Sequence, residues 1–553
     1  MVSIHYTPTA RRSFIRAYGR RLFACVAMML AVVAGAWAGT VPTTDPATPA
    51  IVPPGIIEAS FSPATFAIHA SETPLSKGAS EPSAVDDKPP IKFEELLDEG
   101  EPAFDKAAAD RYLREVLPLI EKAAGRKFKK RPRLRLAGRD EVGAALGRDI
   151  LPQLRNLMPD RSEDDLARLA AKQAANIAPV LLGKYGFKDR VLFLLPRNVE
   201  PLLRLARIEG EYRPGLVKLI IAHELVHALQ DEAVDLAQML AGMKSQEELL
   251  AFNATIEGFA VFVQDEVGAR LGLTEEVIQF SRLFTAGAVK FDDPAFELMN
   301  RAMAAQFEQI YLGGRRFIAH HHAQGGLARV WEIIKHPPAR TAMIKHPETW
   351  SPTRCERPDY AWVLRGLERW FGDERWQVDN IEIGQMGLQS AYAGLRETER
   401  DRLLAQVEHA QALVARSPEQ SRLGNVTLIV LRDAAIGREY IDAVEAMANR
   451  NFAQLNDSRK LQVTDVNATD APQFVASIAR RVEFTLIPLG EPKMHNVIWR
   501  ILRGPLLIEI TMCNLDLPAD AVEALATLVW RRHGALTREP AARETGRCRG
   551  AAK

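Results

Sequence analysis

Two histidines four residues apart, with a glutamate beside the first, stand in the stretch Leu219-Ile220-Ile221-Ala222-His223-Glu224-Leu225-Val226-His227-Ala228-Leu229-Gln230. On a helix, positions four apart share a face and lie one turn from each other, so His223 and His227 can reach one metal ion. Zinc takes neutral imidazole nitrogens at about 2.0–2.1 Å, and a catalytic zinc site uses three protein ligands and leaves a fourth position for water. Glu224 stands where it can take a proton from that water. Glu224 apart, the residues before and between the histidines are uncharged and mostly apolar, with Lys218 the nearest upstream charge, as a buried helix requires. Without a metal, the same helix would hold two histidines solvated or hydrogen-bonded in a core.

A third ligand has to come from elsewhere. The next long helical pattern runs from Glu247 to Leu271, with Leu249, Phe252, Ile256, Phe259, Val263 and Val267 as its apolar stripe. Glu257 is the only ionisable side chain between Glu248 and Asp265. A lone carboxylate in so apolar a stretch is costly to bury unless a cation neutralises it. Zinc would do so, and the small residues Gly258 and Ala260 are expected to let this helix approach the His223 helix closely. A Glu257 at the stripe's edge, facing solvent or a basic side chain, is the alternative.

His223-Glu224-x-x-His227 followed by Glu257-Gly258-x-Ala260 resembles the gluzincin zinc metallopeptidases, the thermolysin-like class. The wider wording, with Tyr311-x-x-Gly314-x-x-Phe317, Gly325-Gly326, Pro337-Pro338, Thr341 and His346-Pro347-Glu348, is similar to exported bacterial and archaeal members of that class. The resemblance covers roughly residues 93–350 and is specific at the metal motif. It implies a zincin-like fold, one zinc ion per chain held by His223, His227 and Glu257, Glu224 as general base, and a peptide or protein substrate. It also places Tyr311 and His346 in the half of the domain that closes over the metal, where either could donate a hydrogen bond to an oxyanion. Core packing for Tyr311 and a turn role for His346 are the competing readings. Members of the class often carry an aspartate four residues after the metal glutamate to support a ligand histidine, whereas here that position is Val261. Asp231 and Asn253, each one helical turn from a ligand, are the candidates to replace it. His320-His321-His322 offers no second chelate, because three consecutive helical residues point in three directions.

The elements that must position these residues follow from periodicity. Ala107 to Ala124 carries Tyr112, Val116, Leu117 and Ile120 at helical spacing, Arg131 to Leu136 alternates as a half-exposed strand does, and a helical region spans Glu141 to Leu182. Val191 to Leu195 reads as a strand, and as a sheet edge beside the cleft it could align a peptide by strand addition. Residues 354 to 419 read as an aromatic and then charged helical extension of the same domain. Beyond it, Val426 to Leu431, Val482 to Ile487, Val497 to Leu502 and Leu506 to Thr511 are β-rich runs, with Arg503-Gly504 a turn between the last two. Tyr440 to Phe452 and Ala519 to Trp530 read as helices. The fold class expected is α+β: a mainly helical zincin-like metallopeptidase domain with a small sheet at 91–420, then a separate α+β domain at 421–553 with no catalytic pattern.

The ends of the chain are of another kind. Arg11, Arg12, Arg16, Arg20 and Arg21 precede an apolar run from Leu22 to Ala38 that closes in Ala36-Trp37-Ala38, which together read as an export signal over 1–38. Arg11-Arg12-Ser13-Phe14-Ile15-Arg16 resembles the twin-arginine motif, whose route carries folded proteins. The implied location is periplasmic or extracellular, with no membrane span after cleavage; a retained signal would act as an anchor. Residues 39–90, rich in Pro, Ala, Ser and Thr, cannot bury enough apolar surface to offset chain entropy and read as a disordered linker. Cys25 would leave with the signal, and Cys355, Cys513 and Cys548 allow at most one internal disulfide.

Across all 553 residues, 47% are apolar and 25% charged, which is ordinary for a globular protein of two or three domains. A net charge of +1 argues against a general nucleic-acid binder, which needs a basic surplus. The sequence leaves three readings open: an exported zinc peptidase, an envelope binding or scaffold protein on a peptidase-like core that cleaves nothing, or a zinc hydrolase acting on a non-peptide amide. An intact Glu224 speaks against the second, because a scaffold has no need of the base.

Overall fold

The computed structural model describes residues 99–538 apart from 158–160, 206–207, 244, 282–293, 353–358, 373–374, 418–420, 458–460, 472–473 and 489–491. The expected export signal, the linker, Cys355 and Cys548 lie outside the described residues. Cys513 is buried as a free thiol.

The first unit is helical around a small sheet. Helix α1 (Lys106–Ala124) starts at Asp105, whose carboxylate accepts from the Ala108 N–H, and stops at Gly125 in the left-handed region. Strand β1 (Arg133–Leu136) and helices α2 (Arg139–Leu157) and α3 (Glu163–Ile177) follow, then strands β2 (Gly183–Gly186) and β3 (Val191–Leu194) and helix α4 (Val199–Leu205). The three strands are ordered β1-β3-β2, with β1 parallel and β2 antiparallel to β3. In β3, Leu192 and Leu194 enter the main core while Val191 and Phe193 join a second cluster with α2 and α3, which explains its unbroken apolar run. The strand expected at Val191 to Leu195 is therefore the central one and not the edge. The edge beside the histidine helix is β2, whose Gly-Lys-Tyr-Gly sequence carries little strand signal.

Helices α5 (Arg213–Val234), α6 (Leu236–Ala241), α7 (Gln246–Leu271) and α8 (Thr274–Ser281) come next. Pro214 lies in the first turn of α5, and Ser245 caps α7 by accepting from the Glu248 N–H. Both long helices are buried on nearly every side from Gly215 to Asp231 and from Leu249 to Val261, the pattern of helices at the centre of a core. Helix α9 (Pro294–Glu308) runs through a single π turn, Gln309–Gly313, into α10 (Gly314–Lys335), which Gly325 and Gly326 interrupt. Short α11 (Thr341–Lys345) closes the unit, its first N–H bonded at 2.7 Å to the buried carboxylate of Glu247.

The second unit is a seven-stranded antiparallel sheet, ordered β4-β5-β6-β10-β9-β8-β7. In chain order come α12 (Tyr360–Leu364), β4 (Gln377–Glu382), α13 (Gln385–Ala391), α14 (Glu397–Leu404), β5 (Val407–Arg416), β6 (Leu423–Leu431) and α15 (Ile436–Asn456). They are followed by β7 (Leu461–Asp470), β8 (Ile478–Pro488), β9 (Met494–Arg503), β10 (Leu506–Cys513) and α16 (Ala519–Arg538). Val363 and Leu364 of α12 with Val522, Leu525 and Val529 of α16 cover one face. Tyr440, Ile441, Val444 and Met447 of α15 cover the other. The sheet begins at Gln377, so the domain boundary expected at 420/421 falls between two of its paired strands, β5 and β6. The reading of 354–419 as helical fails at β5. Its sequence, Val-Glu-His-Ala-Gln-Ala-Leu-Val-Ala-Arg, favours helix locally, yet central placement in the sheet overrides that preference. The chain is thus α+β, as expected, with both units larger in β content than the sequence signalled.

Candidate metal centre

Helix α5 presents His223 and His227 on one face, and α7 crosses it so that Glu257 meets both. His223 Nε2 lies 2.9 Å from Glu257 Oε2, His227 Nε2 lies 3.4 Å from the same oxygen, and the two Nε2 atoms are 3.2 Å apart. These three residues form a buried group able to hold a metal ion. A tetrahedral centre with bonds of about 2.0–2.1 Å spaces its ligands about 3.3 Å apart, so the three separations fit a zinc-sized ion. Burial opposes charge on Glu257, but the facing imidazoles of His227 and His223 hold its carboxyl well below the usual range. Burial likewise opposes charge on His227, while Glu257 lifts its imidazole above the ordinary value. A cation at the centre of the trio, a proton or a metal ion, would offset the burial of the Glu257 carboxylate.

The close approach that sets Glu257 in place is not the one expected. Gly258 turns away from α5 and meets Gly314 backbone to backbone at the end of the π turn: a Cβ on Gly258 would fall 2.2 Å from the Gly314 carbonyl carbon. A Cβ on Gly314 would fall 1.9 Å from the Ala254 carbonyl oxygen. This crossing anchors the π turn, which brings Tyr311 to a ring-centroid distance of 6.2 Å from His223, buried with it. π turns inside helices recur at functional sites.

Glu224 is fully buried, and its Oε2 accepts from the Tyr185 N–H of edge strand β2 at 2.6 Å. Gly183 makes room for this, because any Cβ there would press on the Glu224 and Ile220 side chains at 3.1 Å. The strand is held from its other face by Lys184, whose Nζ lies 3.9 Å from Asp149, and by Asp149 accepting from the N–H groups of Phe187 and Lys188. Burial keeps the Asp149 carboxyl above its ordinary value despite Lys184.

The supports of the imidazoles differ from those expected. His227 Nδ1 faces Gln230 Oε1 at 2.9 Å, and His223 Nδ1 faces Gln264 Oε1 at 3.0 Å. Asp231 instead accepts from the Tyr185 hydroxyl at 3.1 Å and from the Leu236 N–H at 3.0 Å. Asn253 is buried on α7, and neither imidazole Nδ1 is left for it. Both glutamines were legible in principle as uncharged amides on ligand faces, three residues after His227 and seven after Glu257.

His346 does not join the cluster. Its side chain is 47% exposed, 3.7 Å from Glu348, and no contact between it and His223, His227 or Glu257 is present among the described residues. The three consecutive histidines diverge as expected: His320 pairs with Gln324, His321 packs among Phe317 and Trp350, and His322 lies against Phe262.

No family model matches the chain, and no curated protein matches it. Among solved structures, it is similar to a presumed hydrolase with a novel fold from Chloroflexus aurantiacus, at 18% identity and a TM-score of 0.33. The match covers 46% of this chain and 95% of that one. A likeness of this degree carries no argument about either fold or activity.

Proposed function

We propose that the chain is an exported zinc-dependent metallopeptidase of zincin-like fold. The observation that carries the reading is the convergence of His223 Nε2, His227 Nε2 and Glu257 Oε2 within 3.4 Å of one another, with Glu224 next in sequence to the first ligand. His223, His227 and Glu257 would hold one zinc ion per chain. When bound, zinc polarises a peptide carbonyl and makes a water acidic enough to lose a proton near neutral pH. Glu224 accepts that proton and passes it to the departing amine. Its neighbours are suited to this, since the Tyr185 N–H fixes the carboxylate by one oxygen. Tyr311, its ring tilted by 43° to that of His223 at a centroid distance of 6.2 Å, is the candidate donor to the oxyanion.

Two tests bear on the reading. Metal analysis of the purified chain, with a casein or peptide-library assay, should find about one zinc per chain and hydrolysis that a chelator stops. Glu224→Gln should abolish hydrolysis and leave zinc bound, because the residue is the base and not a ligand; zinc lost from that variant would refute the assignment. Export is proposed from the N-terminal sequence alone, and the mass of the native N-terminus checks it, with Gly39 expected first.

One observation favours a second reading. His223, His227, Glu224 and Glu257 are each at most 3% exposed. Closed sites are the habit of structural zinc, and a catalytic site keeps one position open. A scaffold that holds zinc for stability alone would bind the metal, lose stability on chelation and cleave no member of the peptide library.

A further inference from the structure

Gln230 and Gln264 stand where a carboxylate or carbonyl commonly supports a metal-binding imidazole. Gln230 is doubly held: its Oε1 lies 2.9 Å from His227 Nδ1, and its Nε2 donates to the Ile256 carbonyl at 2.9 Å. A carbonyl can only accept, so the amide nitrogen must face Ile256 and the amide oxygen must face the imidazole. His227 Nδ1 therefore carries a proton, which leaves Nε2, on the side of Glu257 and His223, as the nitrogen that would ligate a metal ion. Gln264 Oε1 does the same to His223 Nδ1 at 3.0 Å.

We propose that Gln230 and Gln264 are positioning residues that hold both imidazoles with Nδ1 protonated and Nε2 free to ligate, and that they do so as neutral amides because the site's charge is already balanced. Glu224 and Glu257 are both buried and together match one divalent cation. A carboxylate behind either histidine would add a buried charge with no counterpart. Gln230 has a second task. Ile256 immediately precedes Glu257, so the bond from Gln230 to the Ile256 carbonyl ties the histidine helix to the backbone that carries the third ligand. One side chain thus sets the tautomer of one ligand and the position of another. The affinity part of this inference rests on the metal reading above.

The experiment compares leucine and glutamate at each position in the full chain, measuring zinc affinity by competition with a chromophoric chelator. Leucine removes the acceptor, and glutamate keeps it. Gln264 is the cleaner site, because its Nε2 is buried without a hydrogen-bond partner, so exchanging that nitrogen for oxygen breaks no bond. Gln230→Leu and Gln264→Leu should each weaken zinc binding by about 10- to 100-fold. Gln264→Glu should restore affinity to wild type or tighter, whereas Gln230→Glu, which keeps the acceptor for His227 but loses the donor to the Ile256 carbonyl, should bind zinc more tightly than Gln230→Leu and less tightly than wild type. In zinc-loaded chains labelled with 15N-histidine, exchange of one Nδ1–H proton should quicken in each leucine variant and slow again in the glutamate variant. Equal zinc affinity for leucine and glutamate at both positions would overturn the inference and leave the metal reading standing, since a mere helix tie does not distinguish the two. A wild-type chain that holds no zinc would overturn the metal reading and this inference with it.

Discussion

Replacing Gly314 by alanine tests whether the metal-competent cluster depends on the crossing of α7 with the π turn. A Cβ at this position would stand 1.9 Å from the Ala254 carbonyl oxygen and 2.9 Å from its carbonyl carbon. Both are backbone atoms of a fully buried helix, so no side chain can swing aside. Contacts under 3.0 Å are essentially never made by real Cβ atoms, so the two backbones must separate by at least about 1.1 Å. Glu257 lies one residue before Gly258, which meets Gly314 at the same crossing, so the shift is felt at the ligand. Metal sites tolerate displacements of about 0.2 Å in ligand distance, several times less than the shift required. Gly314→Ala should therefore lose most of its zinc affinity and, as an overpacked core variant, about 1–3 kcal/mol of stability or more. Gly313 supplies the control. An added Cβ there meets only Gln309 and Arg316 side-chain ends, at 3.2 Å and beyond, so Gly313→Ala should stay within about 0.5 kcal/mol of wild type. Zinc content by mass spectrometry and chemical melts with and without chelator read both effects. Wild-type zinc affinity in Gly314→Ala would refute the argument that this crossing sets the position of Glu257.

Glu257→Gln should release zinc nearly as completely as Glu257→Ala, because the charge that balances the metal is gone; equal affinity to wild type in either variant would remove Glu257 from the ligand set. A pH dependence follows from His321, which is buried and is held down to about 4 by burial, aided by His320 and Arg329 and opposed by Gln324 and the Pro347 backbone, against an ordinary 6.5. Between those values the unfolded chain binds the proton and the folded chain does not, so this contribution is complete above pH 6.5 and falls away as the pH drops toward 4, by up to about 3 kcal/mol. Denaturant midpoints of wild type and His321→Phe across this window check it, with a flatter profile expected for the variant; parallel profiles would rule out His321 as the source.

The metal-competent group was legible because its signals are local. His223, Glu224 and His227 sit on one helix at fixed spacing, and Glu257 is the lone charge of an apolar run, so each is visible without knowing how the helices pack. What the sequence withheld depends on neighbours. Strand β2 consists of two glycines, a lysine and a tyrosine, and only its pairing with β3 and the Glu224 carboxylate identify it as the edge beside the site. Strand β5 reads as helix until sheet burial on both sides is known. Gly258 did signal a close approach, but a small residue records that a backbone comes near and not which backbone. His346 was placed by resemblance alone, and resemblance carried it to a turn half open to solvent.

The failure at Asp231 and Asn253 has a physical cause. The expectation was that an acidic or amide group one turn from a ligand should support it, which named Asp231 and Asn253 alike. A site that buries Glu224 and Glu257 beside two imidazoles already carries the carboxylates that one divalent cation can balance. A third buried carboxylate on an imidazole would have to be protonated, or would hold the metal-free site in a costly state of excess charge. Asp231 stands instead at the end of α5, where the Leu236 N–H, the Tyr185 hydroxyl and Arg190 at 3.5 Å offset part of that cost, although burial still lifts its carboxyl above the ordinary value. The supporting role then falls to groups that accept a hydrogen bond without bringing charge. Glutamine at positions 230 and 264 meets that condition, so counting the buried charges around a proposed metal selects its supports better than proximity along the helix does.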